Sequence, residues 1–307
     1  MTDDAAGQVL LILAADHRDS LERELYGLTA PPSPPEAARI AADKLLVYQA
    51  LLDAAAQLPA VAQPGILIDE QYGATVAELA GRSGGAVSLA MPIEASGEQW
   101  FGFAYGERWR THAAFFASDN CKVLVRDNPG LDPLRRGQQA HRLAQVSGWA
   151  AEHGRPLILE LLVPATSSDK AAVGGDTARY DAELRPQHTL DIIRYLQDQG
   201  VEPGLWKIEG LDSAADAAHT AAASARNGRR ARCIVLGRHA PRDKLDHWLD
   251  VAAPLPGFTG FAIGRSIWWD ALAEHLAGRA TAPQARDQIS AAYLGYARDY
   301  LRAREVS

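Results

Sequence analysis

The sequence predicts an α/β fold of the TIM (β/α)8 barrel type, as a single domain over residues 1–307 with an extra C-terminal helix. Three observations predict it. Eight short apolar runs alternate with longer helical segments, and the length of 307 residues suits one such barrel. The apolar runs are also continuous rather than alternating, which is typical of parallel strands buried on both faces.

The predicted strands are short, with five to seven residues each. They are VLLILAA (9–15), GILID (65–69), AVSLAM (86–91), CKVLVR (121–126), PLILELL (156–162), LWKIE (205–209), RCIVLG (232–237) and GFAIG (260–264).

The predicted helices repeat their apolar residues at intervals of three and four, and several end at glycine. The segment 186–200, for example, has proline in its first turn and ends at Gly200. The others are 36–58, 132–154, 212–228, 240–253, 266–278 and a closing amphipathic helix over roughly 282–303.

A doubly wound sheet is the alternative fold. That fold usually carries a glycine-rich fingerprint after its first strand, whereas here ADHRDSL follows the first strand and contains no glycine. The proline-rich stretch 29–38 is interpreted as a loop after the first strand and not as a linker between domains.

Bulk properties exclude several classes of function. A net charge of −7 without a basic stripe argues against nucleic acid as a partner, and no apolar run is long enough to cross a membrane. The acidic start does not resemble a secretory signal or a transit peptide. Cys121 and Cys233 are interpreted as buried free thiols, which fits a reducing cytoplasm.

The sixth strand contains Lys207, a charged residue in an apolar run. By parity, Lys207 points into the barrel if Trp206 packs outward against the helices. The alternative is a lysine that extends outward to solvent. Glu160 lies inside the fifth strand, and a plain ion pair with Lys207 is its alternative role. Buried ion pairs stabilise little, so two inward charges on adjacent strands favour a catalytic function.

A lysine amine in a dry site gives up its proton more readily when another cation is close, and it can then form a Schiff base with a carbonyl. Lys122 on the fourth strand is the candidate cation, unless it faces solvent at the strand entrance. Glu160 is the candidate proton acceptor for carbon–carbon cleavage beside the iminium.

A phosphate site is predicted at the carboxyl ends of the last two strands, where barrels commonly hold one. Gly264 lets backbone N–H groups approach the phosphate, and Arg265 adds a charged fork. Gly237 and Arg238 in LGRHA are the candidates after the seventh strand. The alternative is a tight strand-to-helix turn with Arg265 on the surface.

Asp16, His17 and Arg18 follow the first strand, as substrate-binding residues or as a structural hydrogen-bond cluster, and Asp69 follows the second. His239 is interpreted as a loop histidine. The nine histidines show no HxH or HxxxH spacing, so no metal and no other cofactor is predicted.

The segments LAADHRDSL, GILIDEQYG, LILELLVP, LWKIEG, VLGRHAP and GFAIGRSIWWDAL, taken in order, resemble one lineage through nearly the whole chain. It is the aldolase-like domain fused behind the sugar kinase of bacterial inositol catabolism, assigned to 5-dehydro-2-deoxyphosphogluconate cleavage. That domain is similar in turn to tagatose 1,6-bisphosphate and sulfofructose-phosphate aldolases.

The resemblance implies roles for particular residues. WKIE matches the family's Schiff-base motif at Lys207, LELL matches the acid motif at Glu160, and CKVLV matches the strand-four lysine at Lys122. The stretch LIDEQYG, from Asp69 on, matches the strand-two motif. The family's Gly-Arg on strand eight matches Gly264 and Arg265.

One motif departs from the pattern. The seventh-strand loop, which reads LSAG in tagatose aldolases, reads LGRHA here, and this favours an acidic or differently shaped substrate.

The resemblance therefore implies a Schiff-base aldolase that releases dihydroxyacetone phosphate and a small aldehyde, with Asp16 and Lys122 orienting the substrate. The expected partner is a small sugar phosphate, in a protein that could form a homo-oligomer. Three alternatives stay open: an aldolase for another ketose phosphate, a non-catalytic sugar-phosphate-binding protein, and a metal-dependent aldolase that uses His17, His239 and carboxylates.

Overall fold

A computed structural model describes residues 8–305, and these residues form a closed barrel of eight parallel strands. Each strand pairs with its neighbours in chain order, and the first strand pairs with the last, as the sequence predicts. The strands are β1 (Val9–Ala14), β2 (Ala62–Leu67), β3 (Ser88–Pro92), β4 (Asn120–Arg126), β5 (Leu157–Leu162), β6 (Leu205–Glu209), β7 (Arg232–Leu236) and β8 (Phe258–Ile263). The expectations for the acidic start fall on residues 1–7 and lie outside the described part of the chain.

Alternate residues of each strand face two different cores. A small cluster fills the lower interior of the barrel and contains Ile12, Ala14, Leu67, Ala90, Ile158, Ile234 and Ala262, with Leu10 and Leu205 packed against it. The residues of opposite parity, such as Trp206, belong to the large core between the barrel and its helices. Because both faces are buried, the strands are mainly apolar, and a charged side chain inside the barrel is unusual.

The helices surround the barrel. They are α1 (Pro34–Ala55), α2 (Glu70–Gly81), α3 (Trp109–Phe115), α4 (Pro133–Glu152), α5 (Ser167–Ala172), α6 (Thr177–Glu183), α7 (Arg185–Asp198), α8 (Ala214–Ser224), α9 (Arg242–Ala252), α10 (Arg265–Leu276) and α11 (Ala282–Glu305). Helices α2, α3, α5 and α6 were not among the predicted segments. Among the described residues, no helix is long and apolar enough to cross a membrane.

The extra C-terminal helix packs beside α1, α9 and α10. Tyr293 on this helix is fully buried, and its hydroxyl donates a hydrogen bond of 2.7 Å to the backbone carbonyl of Leu11 on β1. The Tyr293 ring also contacts Phe261 of β8 edge to face, with centroids 6.2 Å apart, so the helix covers the pairing of β1 with β8.

The proline-rich stretch after β1 ends earlier than predicted, because α1 begins at Pro34. Ser33 precedes the helix, and its backbone N–H donates to the Glu36 carboxylate at 2.7 Å. Proline suits the first helical turn, where the missing N–H has no helical partner in any case. Residues 29–33 are therefore a loop, and residues 34–38 belong to the start of α1.

Candidate active site

Lys207 lies inside the barrel, as the parity of β6 predicts. Its neighbour Trp206 is fully buried in the outer core, and Leu205, two residues before the lysine, packs against the inner cluster. The Lys207 side chain is only 3% exposed, so it does not extend to solvent. Its ammonium lies 3.0 Å from Oε2 of Glu160 on the adjacent strand.

Glu160 contacts two lysines. The same Oε2 atom lies 2.9 Å from Nζ of Lys122 on β4, the strand on the other side of β5. Glu160 pairs in register with Lys207 and with Leu124 of β4. Lys122 comes two residues before Leu124 on the same face of β4, so its long side chain reaches Glu160 from below that register position. The carboxylate is placed to exchange a proton with the Lys207 amine.

Lys122 is the centre of a wider ion cluster. Its Nζ donates to Oδ2 of Asp16 at 2.8 Å and to Oε1 of Glu94 at 2.7 Å, in addition to its contact with Glu160. It does not face solvent at the strand entrance, since it is 1% exposed. Burial alone would lower the pKa of Lys122, but the three carboxylates raise it well above its usual value. This lysine is therefore a fixed cation beside Lys207.

The three carboxylates around Lys122 differ in the direction in which their pKa values are shifted. Burial raises the pKa of Asp16 and Glu160, but Lys122 and then Lys207 outweigh it and bring both pKa values below the usual range. For Glu94, burial prevails over Lys122 and Arg18, and its pKa is raised. Glu94 is thus the member of the cluster that most readily keeps a proton.

Glu94 is a site residue that the sequence patterns did not reveal. It is buried, lines the same cavity, and has one oxygen, Oε2, without a hydrogen-bond partner. Arg18 lies beside it, 4.0 Å from Oε1, and donates to the Glu94 backbone carbonyl at 2.9 Å. No pattern marks it in the sequence, because Glu94 comes three residues after the predicted strand end at Met91.

These residues form the floor of an open cavity of about 420 Å³ at the carboxyl ends of the strands. Most of the predicted site residues line it. They are Asp16, His17, Lys122, Glu160, Lys207, Gly237, Arg238, Gly264 and Arg265. A volume of this size is typical of a site for one small molecule.

Gly264 and Arg265 form the turn from β8 into α10. A methyl group on Gly264 would lie 2.4 Å from the carbonyl oxygen of Ala14, so only glycine fits this close approach to β1. No side chain caps the start of α10, which leaves backbone N–H groups at the cavity for an anion. The Arg265 guanidinium also faces the cavity and lies 3.2 Å from Glu24.

Arg238 is held by acidic neighbours. It adopts a positive φ of 52°, which is unusual for a residue with a side chain. Its guanidinium lies 3.0 Å from Asp181 and 3.2 Å from Glu209. His239, with φ of 55°, also lines the cavity.

His17 is half-buried and packs edge to face against Trp268, with ring centroids 5.4 Å apart, and its Nδ1 atom has no hydrogen-bond partner. Burial lowers the pKa of His17 to about 4, although Asp16 pulls it upward. The imidazole is therefore neutral at pH 7 and offers one donor or acceptor to a ligand rather than a charge.

Asp69 is the one predicted site residue that does not line the cavity. It is fully buried, accepts a hydrogen bond of 2.8 Å from the Tyr72 backbone N–H at the start of α2, and pairs with Lys44. Lys44 in turn donates to the carbonyl of His17 at 2.9 Å. Asp69 therefore contacts the site only indirectly, through Lys44, because its carboxylate caps the start of α2.

Within residues 8–305, no group of three or more histidine, cysteine, aspartate and glutamate side chains is arranged to hold a metal ion. The three carboxylates at the base of the cavity surround the Lys122 ammonium instead.

Comparison with known proteins gives a family and a fold. The sequence model of a family described as an uncharacterized protein conserved in bacteria, DUF2090, matches residues 2–304. No curated protein sequence matches.

Two solved structures are similar in fold. The fructose-bisphosphate aldolase of Plasmodium falciparum, solved with TRAP and an inhibitor, has 11% identity and a TM-score of 0.64, over 96% of this chain and 92% of that one. The protein Cgl0159 of Corynebacterium glutamicum has 16% identity and a TM-score of 0.56, over 95% and 86% of the two chains. At these identities the likeness establishes the barrel architecture alone.

Proposed function

We propose that this chain, which belongs to the DUF2090 family, is a Schiff-base aldolase that acts on a phosphorylated keto sugar acid. The observation that carries the proposal is the buried row of Lys207, Glu160 and Lys122, with the Glu160 carboxylate within 3.0 Å of both amines. The resemblance of six sequence segments to aldolase-like domains supports it, and so does the fold shared with a protein named as an aldolase.

The first step is attack of the Lys207 amine on the ketone of the substrate. Lys207 must be neutral to attack, and Glu160, 3.0 Å away, is the acceptor for its proton. Lys122 lies on the other side of the same carboxylate, with its Nζ 2.9 Å from Oε2 of Glu160. Addition to the carbonyl gives a carbinolamine, which takes up a proton and loses water to form the iminium.

The second step breaks the carbon–carbon bond. Glu160 takes the proton of the hydroxyl next to that bond, the hydroxyl carbon becomes the aldehyde, and the bonding electrons move into the iminium to give an enamine. Protonation of the enamine and addition of water then release dihydroxyacetone phosphate and restore Lys207. Asp16 and Lys122 hold the hydroxyl and carbonyl oxygens during these transfers.

The phosphate of the substrate binds at the turn between β8 and α10. No side chain caps the start of α10, so the N–H groups of its first two residues, Arg265 and Ser266, serve as donors to the phosphate in this proposal, and the Arg265 guanidinium contributes a charged fork beside them. Arg238, Gly237 and His17 lie on the same side of the mouth and complete the substrate contacts in this proposal.

The substrate that we assign is 5-dehydro-2-deoxyphosphogluconate, which would yield dihydroxyacetone phosphate and malonate semialdehyde. The assignment rests on the sequence resemblance and on the arginine and histidine that replace small residues after β7. The same site chemistry would serve tagatose bisphosphate or sulfofructose phosphate, and these are the competing substrates to test.

The experiment is a panel of these three substrates in an assay coupled to dihydroxyacetone phosphate release. We expect the keto sugar acid to give the largest kcat/KM, and Lys207→Ala to lower turnover by at least about 10³-fold, since the covalent intermediate can no longer form. Lys244, whose side chain is 40% exposed and pairs with Asp212 at 2.6 Å outside the cavity, provides a matched control as Lys244→Ala. Release of no dihydroxyacetone phosphate from any of the three would contradict the proposal.

A further inference from the structure

A second cavity of about 390 Å³ lies beside the first. Arg126, Leu162 and Arg238 line both cavities and form the boundary between them. Arg126 pairs in register with Leu162, which comes two residues after Glu160 on the same face of β5. Two residues of a strand span about 7 Å, so the second cavity begins roughly that far above the reacting carboxylate.

The wall of the second cavity is mostly apolar. It is formed by Leu162, Val163, Pro164, Ala165, Val173 and Tyr180, together with the segment between α5 and α6. Two of its polar side chains are already engaged by the backbone. The Tyr180 hydroxyl donates to the carbonyl of Val163 at 2.8 Å, and Glu209 accepts from the Val163 N–H at 2.8 Å. Such a wall offers little to a chain rich in hydroxyl groups.

Two cations at this cavity lack acidic partners. Within the described residues, Arg126 donates only to the backbone carbonyl of Glu98, at 2.8 Å, and Lys170 has no ion pair. Arg238, by contrast, is held by Asp181 and Glu209. The charge of Arg126 and Lys170 is therefore available to a ligand.

The two cationic ends of the site lie on opposite sides of the barrel. Arg126 ends β4, whereas Arg265 follows β8, and these strands are four places apart in the closed ring of eight. Lys207 on β6 lies between them. A ligand that spans the mouth with its ketone at Lys207 thus meets a cation at each end.

We infer that the second cavity binds the aldehyde half of the substrate, and that this half is a short chain with few hydroxyl groups ending in a carboxylate. The inference rests on the proposed aldolase function and adds Arg126 as the carboxylate-binding residue and Lys170 as a second cation near it. Arginine suits this task because its planar fork binds both oxygens of a carboxylate.

The test runs the reaction in the direction of condensation, with dihydroxyacetone phosphate and two aldehydes of equal carbon number. Succinate semialdehyde carries a carboxylate and butyraldehyde does not. We expect Arg126→Ala to raise the KM for succinate semialdehyde by about 30-fold or more and to leave the KM for butyraldehyde within about threefold. Arg126→Lys should recover part of the loss. Arg135→Ala, which removes an exposed arginine that lines neither cavity, is the control.

The outcomes separate the two claims. Equal losses with both aldehydes, or a wild-type enzyme that does not prefer the charged aldehyde, would overturn the carboxylate subsite while leaving the aldolase intact. If neither aldehyde condenses, the aldolase function fails, and malonate binding by calorimetry then decides the subsite. Malonate binding that weakens at least about tenfold in Arg126→Ala but not in Arg265→Ala would support the subsite, and any other result would overturn it.

Discussion

Lys207 can be buried inside an apolar barrel because Glu160 lies 3.0 Å from its amine. An ammonium without a partner would cost several kcal/mol there. The pair stabilises the fold little once the desolvation of both charges is counted, so its presence is better explained by chemistry than by stability. The same holds for Lys122, whose three carboxylate neighbours form a charged cluster where the lower layers of the barrel are apolar.

His17 gives a prediction about acid stability at the level of one residue. Its pKa is lowered by burial to about 4 in the folded protein, against about 6.5 in the unfolded chain. Between these two values the unfolded chain binds the proton more readily, so acidification in this window favours unfolding. Between pH 7 and pH 4.5, we expect the free energy of unfolding of His17→Gln to fall by about 2 kcal/mol less than that of the wild type.

Urea unfolding at both pH values measures this difference. His141→Gln, which changes an exposed histidine on α4, is the control and should behave like the wild type. If His17→Gln loses as much stability on acidification as the wild type does, the histidine is not held neutral by burial.

At the level of elements, the junction between β8 and α10 gives a second prediction. Gly264→Ala would bring a methyl group to 2.4 Å from the Ala14 carbonyl oxygen and 3.0 Å from the His17 ring. The same carbonyl accepts a hydrogen bond of 2.9 Å from the Trp268 indole on α10, so it has little freedom to move. We expect a loss of about 1–3 kcal/mol in the free energy of unfolding.

Chemical denaturation of Gly264→Ala beside Gly137→Ala tests the crowding. Gly137 lies within α4, and a methyl group added to it would meet no atom within 4 Å, so alanine there should be neutral or stabilise by up to about 1 kcal/mol. Similar free energies of unfolding for the two variants would mean that β1 and α10 adjust to the methyl group at no cost.

The sequence predicted the elements unevenly, and the reasons are local. LWKIE matches β6 residue for residue, because its apolar run is bounded by glycines on either side. β2 was predicted at 65–69 but starts at Ala62, because the pairing of Gln63 and Pro64 with β1 overrides their poor strand propensity. α5 and α6 have only six and seven residues, too short for a clear helical period.

At the scale of the whole molecule, the closed ring brings together residues that are distant in the chain. Asp16 and Lys122 are 106 residues apart and lie 2.8 Å from each other. Their meeting was predictable, because the carboxyl ends of all barrel strands share one mouth. Three features were not predictable: the ion pair of Asp69 with Lys44, the position of the Glu94 carboxylate after β3, and the second cavity beside β5. They depend on the paths of the loops and on which partners the side chains find.

The central claim, that Lys207 is the covalent catalyst, is tested most directly by borohydride reduction in the presence of dihydroxyacetone phosphate, followed by peptide mass mapping. We predict one stable adduct per chain, on the peptide that carries Lys207, with Lys122 unmodified because its three carboxylates keep it cationic. Lys207→Ala should give no adduct. An unmodified protein at saturating ligand, or an adduct on Lys122 instead, would contradict the claim.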